Sequence, residues 1–336
     1  MMLSRKQLVF LLAGMLMIFS PVWAYAHVKW FTHVAPVKEP IEHILSPLFM
    51  GIALLVALVL AVLTQLLPKL MHLPLAKRLD EALAGYRKWS RYILKYGTAL
   101  ALLVQILSGT VFAPEFRVTH TGEMLWVWIT IAVLVIPHHA ATKVAAALLL
   151  ALFLYVTSQA GLFHMLDYGF YLAIIWVLFI GKTRLEEWGF PTLYLGTGLS
   201  LCWVAVEKWV YPFMTVDIIQ THHVPTFGFP PDMFIVLAAY IEFVVGYLLV
   251  VGILNRLLAV VVTILFILTT TIFGYTEVVG HLMIHIILLI FIIEGVSFYY
   301  PPIAMHKTRL DQMVFVFLNF IFVLATFLLL YYRFAS

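Results

Sequence analysis

The chain alternates long apolar runs with short polar segments. After an N-terminal segment, ten apolar runs follow, and most are close to the ~20 residues that a helix needs to cross a bilayer. These runs cover about 45–67, 92–112, 124–136, 144–160, 166–181, 192–212, 232–254, 256–274, 278–297 and 312–332. The third run is short and ends at Pro137, so this helix is expected to be re-entrant or tilted. The pattern predicts an all-α membrane protein with about ten transmembrane helices.

The first 26 residues have the pattern of a signal peptide. Arg5 and Lys6 form a basic start, an apolar stretch follows to about Phe19, and the segment 24–26 reads A-x-A. Cleavage there would make His27 the first residue of the mature chain. The mature N-terminus would then lie on the periplasmic side of a bacterial inner membrane. An uncleaved first helix is the alternative interpretation.

Basic residues in the loops agree with this orientation. The predicted inside loops hold twelve of them: Lys69, Lys77, Arg78, Arg87, Lys88, Arg91, Lys143, Lys182, Arg184, Arg256, Lys307 and Arg309. The predicted outside segments hold four: Lys29, Lys38, Arg117 and Arg333. An excess of Lys and Arg on the cytoplasmic side is typical of membrane proteins. Most histidines, in contrast, fall on the predicted outer side.

Composition narrows the class of protein further. The chain is 64% apolar and 11% charged, which favours a multi-span membrane protein with the lipid bilayer as its surroundings. It has no basic stripe, so nucleic acid is not an expected partner. The single cysteine excludes an internal disulfide. The sequence has no P-loop, GxSxG, HExxH or CxxCH motif, and whether the protein is an enzyme stays open.

A weak internal repeat divides the chain. Residues 94–98 resemble residues 193–197, which predicts two four-helix units at about 91–182 and 191–295 in parallel orientation. The second unit carries the polar residues, so the first is expected to be a scaffold. With flanking helices, the predicted divisions are the signal peptide 1–26, an N-terminal segment with the first span 27–90, the degenerate unit 91–190, the second unit 191–297 and a C-terminal span 298–336.

Ionisable residues interrupt three neighbouring apolar runs. Glu207 and Lys208 lie in the sixth run, Glu242 lies in the seventh, and Glu277 opens the ninth. A charge at membrane depth costs roughly 2.5–3.5 kcal/mol on insertion scales unless it finds a partner, an ion or water. We therefore take these four residues as catalytic candidates around one polar pocket open toward the periplasm. Lys208 or His285 is expected to pair with Glu242, although a purely structural ion pair or a snorkelling Lys208 is also consistent with the pattern.

Glu277, His281 and His285 form a stripe along one face of the ninth predicted helix. Neighbours in the stripe lie close enough to share an ion, whereas its outer members are about 12 Å apart at 1.5 Å per residue. His281 and His285 are candidate cofactor ligands that would hydrogen-bond a quinol or conduct protons. Hydrogen bonds that only fix helix packing are the alternative.

The same two histidines, together with His27 and His33, are the candidate metal ligands. An N-terminal histidine binds a metal through its amine and imidazole, and a second imidazole would complete the site. Imidazole and carboxylate ligands suit copper, iron or zinc. The expected cofactor is therefore a quinone or one of these transition metals, and the sequence does not distinguish between them.

Residues 191–295 resemble the DoxX/DoxD family of small four-helix membrane proteins. The resemblance lies in Glu207-Lys208-Trp209 before Pro212, in the segment 242–246 that begins with Glu242, and in Asn255-Arg256. It implies quinone-linked oxidation of sulfur compounds, redox-stress complexes, or metal or metallophore handling. It also implies that Glu207, Lys208 and Glu242 are site residues and that Arg256 contacts a cofactor. The signal peptide, the extra unit and the flanking helices depart from the family pattern.

Three hypotheses about function follow. The first is a quinol-linked redox subunit, with the quinol between the sixth, seventh and ninth spans and with a membrane or periplasmic protein partner that accepts the electrons. The second is a protein that binds or transports copper, iron or zinc. The third is a structural assembly factor whose polar residues hold helices together.

Overall fold

The computed structural model describes residues 30–71, 73–295 and 308–335, and it describes the side chains of these residues except 67–71. The predicted signal peptide and His27 lie outside the described residues, as does the segment 296–307. The helices are α1 Ile41–Ile44, α2 Pro47–Met71, α3 Pro74–Ala84, α4 Ser90–Leu107, α5 Thr121–Val135, α6 His139–Ala160, α7 Leu162–Met165, α8 Phe170–Ile180, α9 Gly189–Val210, α10 Pro212–Thr221, α11 Pro231–Val251, α12 Asn255–Phe273, α13 Tyr275–Glu294 and α14 Arg309–Phe334.

Each of the ten apolar runs overlaps one of these helices. Seven described helices are long and apolar enough to cross a membrane: α2, α6, α9 with the turn before it, α11, α12, α13 and α14. An eighth span exists if the bent pair Leu162–Tyr168 and Phe170–Ile180 counts as one. α5 has only 15 residues and falls short of this length. The polytopic helical architecture is thus confirmed, whereas the count of ten spans stays a prediction.

The fifth predicted span is broken where the sequence suggested a single run. Its two halves meet at an angle of 67° next to Gly169. Ser200 of α9 repairs the break, because its hydroxyl accepts a hydrogen bond from the Phe170 amide at 3.0 Å and lies 3.4 Å from the Leu166 carbonyl oxygen. Backbone groups at membrane depth need such partners.

A short hairpin after α4 is an element that the apolar pattern did not predict. Strands β1 Thr110–Val111 and β2 Ala113–Arg117 pair antiparallel. The buried Gln105 amide fixes the turn by donating to the Phe112 carbonyl at 3.2 Å and accepting from the Phe112 amide at 3.0 Å. This hairpin brings Glu115 to the protein interior.

Helices α9 and α11 approach closely because small residues face each other. A Cβ on Gly198 would lie 2.5 Å from the Gly246 carbonyl oxygen, and one on Gly246 would lie 2.6 Å from the Gly198 carbonyl oxygen. Close backbone packing at small residues is typical of membrane helices. The contact sets the register that places Lys208 next to Glu242.

The buried residues form two cores. The first core combines α4, α5, α6 and α8 with α13, and the second combines α2, α9, α11 and α14. Helix α12 packs mainly on α13 and contributes few buried residues, so most of its surface is left for lipid. The two predicted four-helix units share these cores, and their boundaries stay predictions.

Candidate functional site

The Lys208 and Glu242 side chains form an ion pair between α9 and α11. Their side chains keep 24% and 20% of their surface exposed. This contact confirms one of the two expected partners of Glu242. Lys208 reaches Glu242 near the middle of α11, so its ammonium group is engaged inside the protein rather than snorkelling to the outer surface.

Glu207 lies in different surroundings although it is adjacent in sequence. It is 1% exposed and lies within electrostatic range of Tyr211 and Tyr331. Burial, and after it the negative charge of Glu207, raises the pKa of Tyr211 to about 12. The Tyr211 hydroxyl therefore keeps its proton at neutral pH.

The first two members of the predicted stripe form a buried acid–imidazole pair. His281 Nδ1 lies 3.1 Å from Glu277 Oε2, and the two residues are 7% and 2% exposed. The Thr269 hydroxyl of α12 donates to the other carboxylate oxygen at 2.5 Å. Gly274 turns the chain between α12 and α13 with a φ of +64°, which places Glu277 in the first turn of α13. A carboxylate at a helix N-terminus is stabilised by the helix dipole.

Aromatic rings surround His281. The Phe266 ring stacks on it at 4.5 Å and 23°, and the Trp30 ring lies 5.1 Å away on another side. Trp30 fits over α13 because Gly280 has no side chain, and a Cβ there would lie 1.9 Å from the indole. His285, one turn further, is half-buried and contacts Phe266 edge-on at 5.9 Å. Within the described part of the chain, His285 has no hydrogen bond or ion pair.

A second acid–imidazole pair was not predicted. His164 Nε2 lies 3.1 Å from Glu115 Oε2, with side chains 5% and 16% exposed. The Tyr168 hydroxyl donates to Glu115 and accepts from the Trp30 indole at 3.2 Å. Trp30 thus contacts His281 of the first pair and is linked to the second pair through Tyr168. Glu115 escaped the sequence analysis because it lies between apolar runs, and only the inward-folded hairpin buries it.

The break between α7 and α8 brings these groups near Glu207. Asp167 and Tyr168 are consecutive in the turn at the break, and both are buried. Tyr168 contacts Glu115 and Trp30, whereas Asp167 lies within electrostatic range of Tyr331, as Glu207 does. The predicted scaffold unit therefore supplies buried polar residues of its own. The candidate residues occupy three groups: Lys208–Glu242, Glu207 with its tyrosines, and Glu277–His281.

Arg256 lies at the opposite end of α12 from Glu277. Its guanidinium donates to the Ile292 carbonyl at 2.7 Å and to Asp80 at 3.1 Å. These contacts fasten the C-terminal end of α13 and the start of α12 together. In this position Arg256 stabilises the helices, and its contact with a cofactor stays a prediction.

The candidate metal ligands lie in separate parts of the chain. Within the described residues, no group of three or more His, Cys, Asp and Glu side chains could hold a metal ion. His33 is exposed in the segment before α1, and His27 lies outside the described residues. His281 contacts Glu277, and metal binding by His281 and His285 stays a prediction.

A cleft of about 320 Å³ opens beside Lys208. Its deeper wall is apolar and includes Phe49 and Trp209, which are buried and in contact at 5.0 Å. Its rim holds Asp232 and Glu39, and Glu39 lies 2.8 Å from His43. The cleft thus gives solvent a route to Lys208.

Comparison with known proteins gives one match. Residues 195–275, about a quarter of the chain, match the DoxX family. No curated protein and no solved structure matches the chain. The matched segment includes Glu207, Lys208, Glu242 and Arg256 and ends at the first residue of α13, before the acid–imidazole pair. The match and the apolar helices identify a polytopic membrane protein with a DoxX-like segment.

Proposed function

We propose, from the DoxX match at residues 195–275, that this membrane protein is a quinol-linked redox subunit of a bacterial inner membrane. Its polar site would face the periplasm. The observation that carries the proposal is the buried Glu277–His281 pair. His281 Nδ1 lies 3.1 Å from Glu277 Oε2, and the rings of Trp30 and Phe266 contact the imidazole. A carboxylate that orients an imidazole is the arrangement expected of a proton acceptor.

A quinol would reach this pair from the lipid, between α12 and α13. Only 17% of the α12 span is buried, the smallest share among the candidate spans, so lipid adjoins this helix closely. His285 is half-buried and contacts the Phe266 ring edge-on, and it has a ring nitrogen for a quinol hydroxyl. The Phe266 ring would pack against the quinol head group.

Oxidation of a quinol releases two protons and two electrons. The His281 imidazole would take one proton, with the adjacent Glu277 carboxylate stabilising the imidazolium that results, and the His285 imidazole would take the other. The electrons would pass to a protein partner, because the sequence has no motif for a resident redox cofactor. Glu242 with Lys208 forms a separate charged pair on α9 and α11 that would hold the neighbouring helices.

Trp30 would position this site rather than conduct protons. The indole N–H is only a donor and cannot accept a proton from His281. Its contacts with His281 and with the Tyr168 hydroxyl fix two walls of the site relative to each other. Trp30 would also exclude water from the imidazole.

Binding of a short-chain quinol analogue to the full chain in lipid nanodiscs tests the proposal. We expect His281→Asn and His285→Asn each to weaken binding about tenfold, which is the loss of one hydrogen bond of about 1.4 kcal/mol. His223→Asn is the matched control, since His223 is exposed in the loop before α11 and has a φ of +52° that Asn tolerates.

Turnover provides a second measurement. In membranes that retain the protein partner, Glu277→Gln should lower quinol oxidation by about 100-fold, as expected for loss of general-base catalysis. Binding of the analogue should change little, because Gln keeps the shape of the side chain. Equal binding by the His281 variant, the His285 variant and the control would contradict a quinol site here.

A further inference from the structure

Helix α3 (Pro74–Ala84) lies between α2 and α4 and buries none of its residues. Leu75, Leu79 and Leu83 recur every four residues and therefore form one stripe along the helix. Leu75 and Leu79 are 68% and 45% exposed. Among the residues that the structure describes, none covers Leu75 or Leu79, and Leu83 is half-buried.

The helix is held in a fixed orientation by Asp80. This carboxylate accepts a hydrogen bond from Arg256 at 3.1 Å and from Arg87 at 2.5 Å. At 100° per residue, Asp80 lies on one flank of the leucine stripe, and Lys77 and Glu81 lie opposite the stripe. The ion pairs with Asp80 thus keep the stripe from turning toward the protein.

Residues beside α3 are those expected at the boundary between lipid and water. Tyr86, Trp89 and Trp188 are 59%, 51% and 60% exposed on the same end of the helix bundle. Lys88 lies over the Trp89 ring at 5.8 Å. Tyr and Trp favour the head-group level of a bilayer, and Lys and Arg near it attract anionic lipids.

We propose that α3 lies in the plane of the membrane surface and binds anionic phospholipid head groups. The leucine stripe enters the acyl-chain boundary, and Lys77 and Arg78 meet lipid phosphates. An amphipathic helix with exposed leucines on one face and basic residues beside them has the chemistry for this partner. A protein partner that covered the same stripe would not explain why the aromatic residues around it are exposed.

Nitroxide labelling of the full chain tests the position of the helix. Cys202 is buried and is the only cysteine, so Cys202→Ala provides a background for single labels at Leu75→Cys, Leu79→Cys, Lys77→Cys and Glu81→Cys. In nanodiscs with phosphatidylglycerol, labels at 75 and 79 should collide more with oxygen, and labels at 77 and 81 more with a water-soluble nickel chelate. Equal nickel access at all four positions would overturn the proposal. Protection of 75 and 79 from both reagents would also overturn it, because it would indicate a protein cover.

Lipid composition tests the charge requirement. Lys77→Gln with Arg78→Gln should lower the enrichment of phosphatidylglycerol over phosphatidylcholine around the protein about fivefold for each charge removed, the equivalent of ~1 kcal/mol per basic residue. Arg117→Gln, an exposed charge on β2, is the control and should leave the enrichment unchanged. An unchanged enrichment in the double variant would overturn the proposal.

Discussion

The two ends of the α12–α13 pair hold their carboxylates in different ways. At one end, the carboxylates of Glu277 and Glu115 each face an imidazole. At the other end, Asp80 faces the guanidinium groups of Arg256 and Arg87. Guanidinium stays charged at every physiological pH, whereas imidazole has an ordinary pKa near 6.5. The proposed function uses the first end to exchange protons, whereas the contacts of the second end hold helices together.

The largest effect is expected at the arginine end. Arg256→Gln removes two hydrogen bonds from a charged donor, to Asp80 and to the Ile292 carbonyl, and at about 1.5 kcal/mol each this should lower the free energy of unfolding by about 3 kcal/mol. Unfolding in mixed detergent micelles measures the change, which should be the same at pH 5.5 and pH 8. Arg309→Gln is the exposed control. A loss that depends strongly on pH would remove the contrast between the two ends.

The next effect tests the packing of Trp30 over the imidazole end. Gly280→Ala forces a Cβ into the indole and should cost about 2 kcal/mol of folding stability through overpacking. It should also expose His281 to water. The same substitution at Gly122 meets nothing within 4 Å and serves as the control. If both variants unfold alike, Trp30 does not cover α13 as described.

A smaller effect is expected where the two acid–imidazole pairs are linked. Tyr168→Phe removes the hydroxyl between Glu115 and the Trp30 indole and should cost about 1 kcal/mol. Trp30 fluorescence, obtained by difference from a Trp30→Phe protein, should change because the indole N–H loses its acceptor. Tyr96→Phe, an exposed change, should alter neither quantity.

The smallest effect is expected at the rim of the cleft. His43 contacts Glu39 at 2.8 Å, but its side chain is 69% exposed. Exposed ion pairs contribute little, so His43→Gln should change the unfolding free energy by less than about 0.5 kcal/mol. A change as large as that of Gly280→Ala would show that the rim, too, is part of the protein's supporting structure.

The sequence predicted the helices and the ionisable residues well because both signals are local. A run of about 20 apolar residues indicates a membrane span, and a charged residue inside it indicates that its side chain needs a partner. The identity of the partner is not local. Lys208 pairs with Glu242 because the close contact of Gly198 and Gly246 sets the register of their helices, and no apolar pattern encodes this register.

The second acid–imidazole pair was missed for a related reason. Glu115 lies in a connection, where a charged residue is ordinarily solvated, and Asp167 lies at the start of the fifth predicted span, where a side chain can still reach water. The hairpin and the broken span bury both, and these features depend on contacts with Gln105 and Ser200. The polar residues of the predicted scaffold unit are therefore placed by irregular backbone, which periodicity does not reveal.

The repair of the broken span by Ser200 has a consequence for biosynthesis. The Phe170 amide finds its partner thirty residues later in the chain, on α9. Until the ribosome has delivered that helix to the bilayer, the kink has an unsatisfied backbone group that lipid cannot accommodate. The nascent chain should therefore keep this segment near the translocon or the head groups and settle it in the bundle only once α9 has been inserted.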